Sequence, residues 1–184
     1  MTQAVHECIE QAVLDLYKNG KEVKPLKWQS TEVEHPMIEV TQRFYQMRMP
    51  SNVTILQSQS KADQPWSEDH FQERVSGEPL NPGNQYYKWP YYDHGKDNDR
   101  FREGDKQFSH SYMERYWPPR DLKGIRYNYG DLNHLVERMK KDPLTRQAYL
   151  SVWYPEDQID IGERVPCTLG YHFMVRDNRL HVTY

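Results

Sequence analysis

An α+β fold is the class that this sequence predicts. Two segments carry apolar residues at helical spacing, and residues in the last third alternate between apolar and polar as strands do. Because amphipathic helices need an apolar surface and alternating strands offer one, we expect the two helices to back a sheet formed by the last strands. A length of 184 residues gives room for one domain, residues 1–184.

The first helix is predicted over residues 3–18. Its apolar residues recur three and four positions apart, and Asn19-Gly20 is a typical helix end. Cys8 lies on the apolar stripe, so the pattern favours a packed thiol without chemistry.

The middle of the chain gives mixed patterns. Residues 37–53 indicate one or two strands, and the polar residues 57–65 indicate a loop. A short helix is predicted over residues 67–75 with Ser67 as its N-cap. Residues 77–119 are rich in proline and aromatic residues, which predicts a long irregular segment.

The last third has the most regular patterns. A helix is predicted over residues 131–141 with Asp131 as its N-cap. Residues 147–153 alternate as a strand does, and residues 169–184 read as a hairpin that turns at Asp177-Asn178.

The composition excludes several classes of function. A net charge of −3 and a pI near 6.2 give no field for bulk nucleic-acid binding. No signal peptide or membrane-spanning apolar run is visible, and two distant cysteines suit a reducing compartment, so we expect a cytoplasmic protein. The apolar fraction of 36% is low, which indicates that a partner covers part of the surface.

Two clusters of ionisable residues are candidates for a metal or acid-base site. His70 and Glu73 lie one helical turn apart, as a metal or acid-base pair could, but a solvated helix face is favoured. The acidic residues around Asp97 are interleaved with Lys96 and Arg100, which favours a charged loop. No metal site is therefore predicted.

Residues 124–184 carry four motifs in a fixed order: Asp142-Pro143-Leu144-Thr145-Arg146, Ser151-Val152-Trp153, Pro166-Cys167, and the hairpin Phe173 to Tyr184. This set resembles the middle of thymidylate synthases. Farther back, the segment 77–82 followed by Tyr86, Tyr87 and Trp89 resembles a loop of the same family. Residues 22–40 are similar to the start of phage thymidylate synthases and hydroxymethylases.

The resemblance implies a mixed sheet and a reaction at carbon 5 of a pyrimidine deoxynucleotide monophosphate such as dUMP. Cys167 would be the nucleophile that adds to carbon 6, and Arg146 would bind the substrate phosphate. Asn81, Tyr86, Tyr87 and Trp89 match the substrate or folate pocket. Methylenetetrahydrofolate is the implied cofactor, a homodimer the implied assembly, and a host cytoplasm the location if a phage encodes the chain.

The sequence also departs from the family pattern. Gln147 stands in place of a second phosphate-binding arginine, for which Arg120 or Arg126 are substitutes by position only, and Thr168 stands in place of a histidine. No Arg-Ser-x-Asp strand follows Tyr184, so we expect little transferase activity from these residues by themselves.

Two functions therefore stay open from the sequence. One is a methyl- or hydroxymethyltransferase, or the Cys-bearing portion of one. The other is a non-catalytic relative that serves as a dimerising scaffold or a nucleotide- or protein-binding module. The choices between uracil and cytosine, and between methyl and hydroxymethyl transfer, also stay open.

Overall fold

The computed structural model describes residues 4–25, 27–28, 31–60, 62–88, 107–118, 132–159 and 164–184. They form helices and small antiparallel sheets, so the α+β class is confirmed. Contacts divide the chain into two compact units, Met1–Gln64 and Pro65–Tyr184. That residues 1–184 form a single domain stays a prediction.

Helix α1 of the first unit spans Val5–Asn19, as predicted. The backbone N–H of Ala4 donates to the Glu7 carboxylate over 2.9 Å, which satisfies one of the open donors at the helix start. Cys8 is 3% exposed, so its prediction as a packed thiol is confirmed. At the other end, the N–H of Gly20 donates to the carbonyl of Leu16.

Two antiparallel pairs of short strands follow α1. Strand β1, Lys21–Val23, pairs with β4, Met37–Glu39, and β2, Lys27–Trp28, pairs with β3, Thr31–Glu32. Of the strands predicted within residues 37–53, the structure contains β4.

Helix α2, Val53–Ser60, corrects the prediction of a loop over residues 57–65. Its last residues are helical because the helix starts earlier, where the side chain of Asn52 accepts a hydrogen bond from the N–H of Thr54 over 2.9 Å. The polar composition of residues 57–60 suits an exposed helix end as well as a loop. Composition alone therefore misassigned them.

The second unit contains four α-helices among its described residues: α3, Trp66–Arg74; α4, Asn84–Tyr87; α5, Tyr112–Tyr116; and α6, Leu132–Lys141. The prediction of Ser67 as the cap of α3 is wrong, because Pro65 occupies the N-cap position and the helix starts at Trp66. The prediction that residues 77–119 are irregular is corrected where α4 and α5 lie. The predicted cap Asp131 of α6 lies outside the described residues.

The second unit is built on a three-stranded sheet in the order β5-β6-β7. Strands β5, Ala148–Ser151, β6, Gly170–Arg176, and β7, Arg179–Thr183, are antiparallel neighbours. Asp177 and Asn178 both have positive φ, 52° and 57°, as a two-residue hairpin turn requires. The predicted strand and hairpin are confirmed. A mixed sheet stays a prediction, because the described strand pairs are antiparallel.

The core of the second unit lies between this sheet and its helices. Ala148 and Leu150 of β5 and the following Val152 are 0%, 3% and 0% exposed, in line with the predicted alternation. They pack with residues of α5, α6 and the turn after α5: Met113, Tyr116, Trp117 and Leu135. This core contains residues of α6, so the predicted backing of the sheet by that helix is confirmed. Backing of the same sheet by α1, which belongs to the first unit, stays a prediction.

Candidate functional site

Cys167 lies in a short turn just before β6, and its side chain is exposed. The preceding Pro166 is fully buried, and its carbonyl accepts a hydrogen bond from the indole N–H of Trp153. An exposed thiol therefore follows an anchored residue. This arrangement presents the sulfur to solvent from a fixed position.

The backbone around Cys167 is also held by a hydroxyl group. The N–H of Cys167 donates to Oη of Tyr112, on α5, over 3.0 Å. The same hydroxyl donates over 3.5 Å to Oγ1 of Thr168, which in turn donates over 3.1 Å to Oη of Tyr184. Thr168, which departs from the family pattern, is buried at 6% exposure and takes part in this network.

A second hydroxyl pair links the same helix to the same sheet. Tyr116 Oη and Tyr171 Oη lie 2.8 Å apart. Burial and this hydrogen bond raise the pKa of Tyr116 far above its ordinary value, so the phenol stays neutral. The guanidinium carbon of Arg74 lies 4.4 Å from the ring centre of Tyr112 and covers that end of α5.

Arg164 is the cation that the fold places near Cys167. Its guanidinium carbon lies 5.5 Å from the ring centre of Phe108. Burial lowers the pKa of Arg164, and the negative forms of Tyr86 and Cys167 act in the opposite direction. The two residues are thus within electrostatic reach of the guanidinium. The sequence reasoning missed Arg164, although its position three residues before Cys167 was a signal.

His110 belongs to the same surroundings. Burial, together with the positive charges of Arg115 and Arg164, lowers the pKa of His110 to about 4, against an opposing effect of Asp157. The imidazole is therefore neutral at pH 7. A neutral imidazole can accept or donate a proton, which makes His110 a second residue that sequence reasoning missed.

A buried ion pair between Arg115 and Asp157 stabilises this region. Arg115 of α5 donates to both carboxylate oxygens of Asp157 over 3.0 and 2.7 Å. Asp157 lies in the 3-10 helix Pro155–Gln158 and also accepts the N–H of Tyr154 over 2.7 Å. The two side chains are 9% and 11% exposed. Helix α5, which carries Tyr112, is thus fastened to the segment that leads towards Cys167.

The predicted pocket residues have different surroundings. The side-chain amide of Asn81 accepts the N–H of Phe108 over 3.0 Å and donates over 2.8 Å to both the Phe108 carbonyl and the Glu114 carboxylate. Asn81 therefore fixes the position of Phe108, the ring that Arg164 covers. A role of Asn81 in a pocket stays a prediction.

The aromatic residues of the predicted pocket are partly brought together with Cys167. Tyr86 meets Phe108 edge to face at 4.9 Å, on the side of Arg164. Tyr87 meets Tyr86 at 5.5 Å and has a 43% exposed side chain. Trp89 lies outside the described residues. The structure thus places Tyr86, and through it Tyr87, on the Arg164 side of the candidate site.

Arg146 is exposed in the turn between α6 and β5. Its carbonyl oxygen lies 3.0 Å from Nε2 of His172, on the neighbouring strand β6. Cys167 lies at the other end of β5, where the N–H groups of Val152 and Trp153 donate to the carbonyl of Leu169. The structure therefore does not bring Arg146 and Cys167 together within one chain.

Gln147 has a cation beside it. Its Oε1 accepts a hydrogen bond from Nη1 of Arg138, on α6, over 3.0 Å. A guanidinium thus lies next to the position where the resemblance implies a second arginine. Arg120 and Arg126, the substitutes considered from the sequence, lie outside the described residues.

The pair His70 and Glu73 is engaged within α3 and α4. The His70 ring stacks on Trp66 at 4.9 Å, and burial and the charge of Arg74 lower its pKa. Both carboxylate oxygens of Glu73 lie 3.2 Å from the N–H of Gln85, which donates to them. Within the described ranges, no three His, Cys, Asp or Glu side chains converge as a metal site.

None of the helices in the described part of the chain combines the length and apolar character needed to cross a membrane.

Comparison with known proteins gives a partial similarity. No family model matches the chain. The chain is 25% identical over 81 residues to a protein of Methanosarcina barkeri named "Putative thymidylate synthase", and 26% identical over 81 residues to one of the same name from Methanosarcina mazei. Each match covers 44% of this chain and 34% of the relative. The match thus spans about a third of the length of these curated relatives.

Proposed function

We propose that this chain carries the nucleophile-bearing part of a thymidylate synthase-like enzyme, which transfers a one-carbon unit to carbon 5 of a pyrimidine deoxynucleotide monophosphate. The observation that supports it most is the setting of Cys167. Its thiol is exposed, its backbone is held by Tyr112, and the guanidinium of Arg164 lies within electrostatic reach. The partial similarity to the Methanosarcina proteins points to the same chemistry.

In this proposal the thiolate of Cys167 adds to carbon 6 of the base, and the electron pair of the 5,6 double bond moves towards carbon 5 and the carbonyl at carbon 4. Carbon 5 then bonds to the one-carbon unit, whose bond to the nitrogen of the folate donor breaks, and carbon 5 loses its proton. Addition of a hydride from the folate, or of water, to the transferred carbon shifts the double bond back between carbons 5 and 6 and expels the thiolate. The neutral imidazole of His110 is available for proton transfer near the base.

The phosphate is assigned to Arg146 of a second copy of the chain. Arg146 and Cys167 of one chain are separated by the length of β5, whose four residues alone span about 13 Å. The phosphate of a nucleotide bound at Cys167 is therefore more easily reached by an arginine of a partner subunit. The exposed Arg138, which donates to Gln147 next to Arg146 in the sequence, is a second guanidinium that could contribute to the phosphate site.

The aromatic residues fit a folate. Tyr86 and Phe108 form a packed pair, and the partly exposed ring of Tyr87 beside them offers a face on which a flat pterin can stack. Methylenetetrahydrofolate would supply the one-carbon unit there. The residues of this chain would hold and orient its ring next to Arg164 and Cys167.

The proposal is tested by release of tritium from dUMP and dCMP labelled at carbon 5, with and without methylenetetrahydrofolate. We expect release from one of the two nucleotides, and its loss by at least about a hundredfold in Cys167→Ser, because the hydroxyl is a far weaker nucleophile than the thiolate. Cys8→Ser is the matched control, since Cys8 is a buried thiol of the first unit. Release that is unaffected by Cys167→Ser would remove Cys167 from the mechanism.

A non-catalytic function is the second candidate, and one observation favours it. The side-chain amide of Asn81 makes three hydrogen bonds within the chain, to Phe108 and Glu114, so it has little capacity left for a nucleotide. A scaffold or binding module would need that rigidity but no nucleophile. Binding of dUMP or dCMP with no tritium release, at equal affinity in the parent and in Cys167→Ser, would favour this function.

A further inference from the structure

Three side-chain hydroxyls form a continuous chain from the Cys167 backbone. The Cys167 N–H donates to Tyr112, Tyr112 donates to Thr168, and Thr168 donates to Tyr184, over 3.0, 3.5 and 3.1 Å. The three hydroxyls come from α5, from the residue after Cys167, and from the residue after β7. The chain therefore ties three separate segments together at the candidate nucleophile.

The direction of the hydrogen bonds is consistent along the whole chain. A hydroxyl carries one proton and two lone pairs, so each can accept one bond and donate another. The Tyr112 hydroxyl accepts a hydrogen bond from the Cys167 N–H and donates one to the Thr168 hydroxyl. The Thr168 hydroxyl in turn donates a hydrogen bond to the Tyr184 hydroxyl. Thr168 is buried at 6% exposure, where a lost partner would not be replaced readily by water.

The residues around this chain explain why it can hold a fixed geometry. Tyr112 is packed beneath the guanidinium of Arg74 and meets the ring of Tyr116 at 6.1 Å. Tyr184 meets the ring of Tyr171 at 5.4 Å. The ring of Tyr112 is therefore held from two sides, whereas Tyr184 contacts Tyr171 and is 80% exposed. Tyr112 is thus the anchored end of the hydroxyl chain.

We propose that Tyr112, Thr168 and Tyr184 are positioning residues for Cys167, whose hydroxyl chain fixes the backbone of the nucleophile and thereby the direction of its thiol. This role rests on the proposed function, in which the sulfur must approach carbon 6 of a bound base. Thr168 then has a specific task that the sequence did not indicate: it connects the nucleophile to the far edge of the sheet.

The molecule supplies a matched control. Tyr116 lies on α5 one turn after Tyr112, and its hydroxyl pairs with that of Tyr171 on β6 at 2.8 Å. This second pair joins the same helix to the same sheet, and neither of its hydroxyls is bonded to Cys167 or Thr168 in the described network. Loss of the Tyr116 hydroxyl therefore measures general loosening of the unit.

The experiment compares Tyr112→Phe, Thr168→Val and Thr168→Ser with the control Tyr116→Phe in the full chain. The first readout is hydrogen exchange of the Cys167 amide under native conditions. We expect Tyr112→Phe and Thr168→Val to accelerate it about fivefold to tenfold, as loss of a hydrogen bond would. Thr168→Ser keeps the hydroxyl and should stay within twofold of the parent, and so should Tyr116→Phe.

The second readout is tritium release. We expect the two hydroxyl deletions to lower kcat about tenfold with KM nearly unchanged, because a misdirected nucleophile slows the reaction without weakening substrate binding. Thr168→Ser should recover most of the parent rate. Tyr184→Phe should follow the deletions with a smaller effect, since its hydroxyl lies three hydrogen bonds from the Cys167 amide.

The outcomes separate this inference from the proposed function. If Tyr116→Phe accelerates exchange at Cys167 as much as Tyr112→Phe does, or if Thr168→Val matches Thr168→Ser, the hydroxyl chain has no positioning role. If the parent releases no tritium, the proposed function fails, and the exchange rates still decide whether the hydroxyl chain holds Cys167.

Discussion

Arg146 and Cys167 lie at opposite ends of strand β5, with Arg146 in the turn that enters it and Cys167 before the strand that pairs with its exit. One chain therefore cannot direct both groups at the same nucleotide if β5 stays extended. In the proposed dimer, each site combines Cys167 of one protomer with Arg146 of its partner.

This arrangement predicts complementation between inactive variants. Arg146→Ala and Cys167→Ser should each be inactive alone, but mixed subunits that exchange at random should regain about a quarter of the parent tritium release. Half of the dimers would then be mixed, with one intact site of two. No recovery after demonstrated subunit exchange would contradict a shared site, and recovery would also establish self-association.

Removing one partner of the ion pair between Arg115 and Asp157 should destabilise the fold strongly. We expect Arg115→Met to lower the free energy of unfolding by about 3 kcal/mol, because it leaves a buried carboxylate without its partner. Urea unfolding followed by tryptophan fluorescence measures this loss. The double variant Arg115→Met with Asp157→Leu should recover part of it, and Lys140→Met, from an exposed pair, should cost less than about 0.5 kcal/mol.

Stability should fall in mildly acidic solution because of His110. The pKa of His110 is about 4 in the folded chain, owing to burial and the charges of Arg115 and Arg164, against about 6.5 when unfolded. Between these values the unfolded state binds more protons, so stability decreases as the pH falls from about 6.5 to about 4 and then levels off.

Between pH 7.5 and 5 we expect the His110 contribution to fall by about 1 kcal/mol, less than the full pKa difference implies because the ring is only half-buried. The His110 contribution is isolated by comparing the urea midpoints of the parent and of His110→Gln at the two pH values. Burial raises the pKa of Glu114, which acts in the opposite direction in both proteins and cancels in the comparison.

Leu150 and Leu180 test where the core of the second unit ends. Both lie in the same sheet, but Leu150 is 3% exposed and Leu180 is 59% exposed. We expect Leu150→Ala to lower the free energy of unfolding by about 3 kcal/mol, through lost burial and a cavity. Leu180→Ala should change it by less than about 0.5 kcal/mol. Equal losses in urea unfolding would mean that β7 is covered in solution, as self-association through the sheet would cause.

The sequence predicted the elements whose signal is local. Alternation of apolar residues is sufficient to place β5, and the Asp177-Asn178 pair places the hairpin, because both depend on neighbours within a few residues. Helix α2 was missed for the opposite reason. Its last residues, 57–60, are all polar, and the Asn52 cap that starts it is a signal only together with the helix it begins.

The sequence indicated Cys167, Tyr86 and Tyr87 as residues of the candidate site, but not the groups that surround them. Cys167 was identified by its motif, but the groups around it come from distant parts of the chain. Phe108 meets Tyr86, and Arg164 covers Phe108, through contacts that join residues far apart in sequence. Tertiary packing sets such contacts, and no local pattern in a single sequence records them. The role of Thr168 could not be predicted either, since it depends on Tyr112 and Tyr184 meeting it.

The pairing of β5 with β6 also bears on how the chain folds. The hairpin of β6 and β7 closes through two residues, whereas pairing of Ser151 with Gly170 must close a much longer stretch that contains Cys167. Long closures cost more chain entropy and form more slowly. We therefore expect the hairpin to form first and Cys167 to be ordered only when β5 docks, so that partial unfolding at β5 would disorder the candidate site while the hairpin persists.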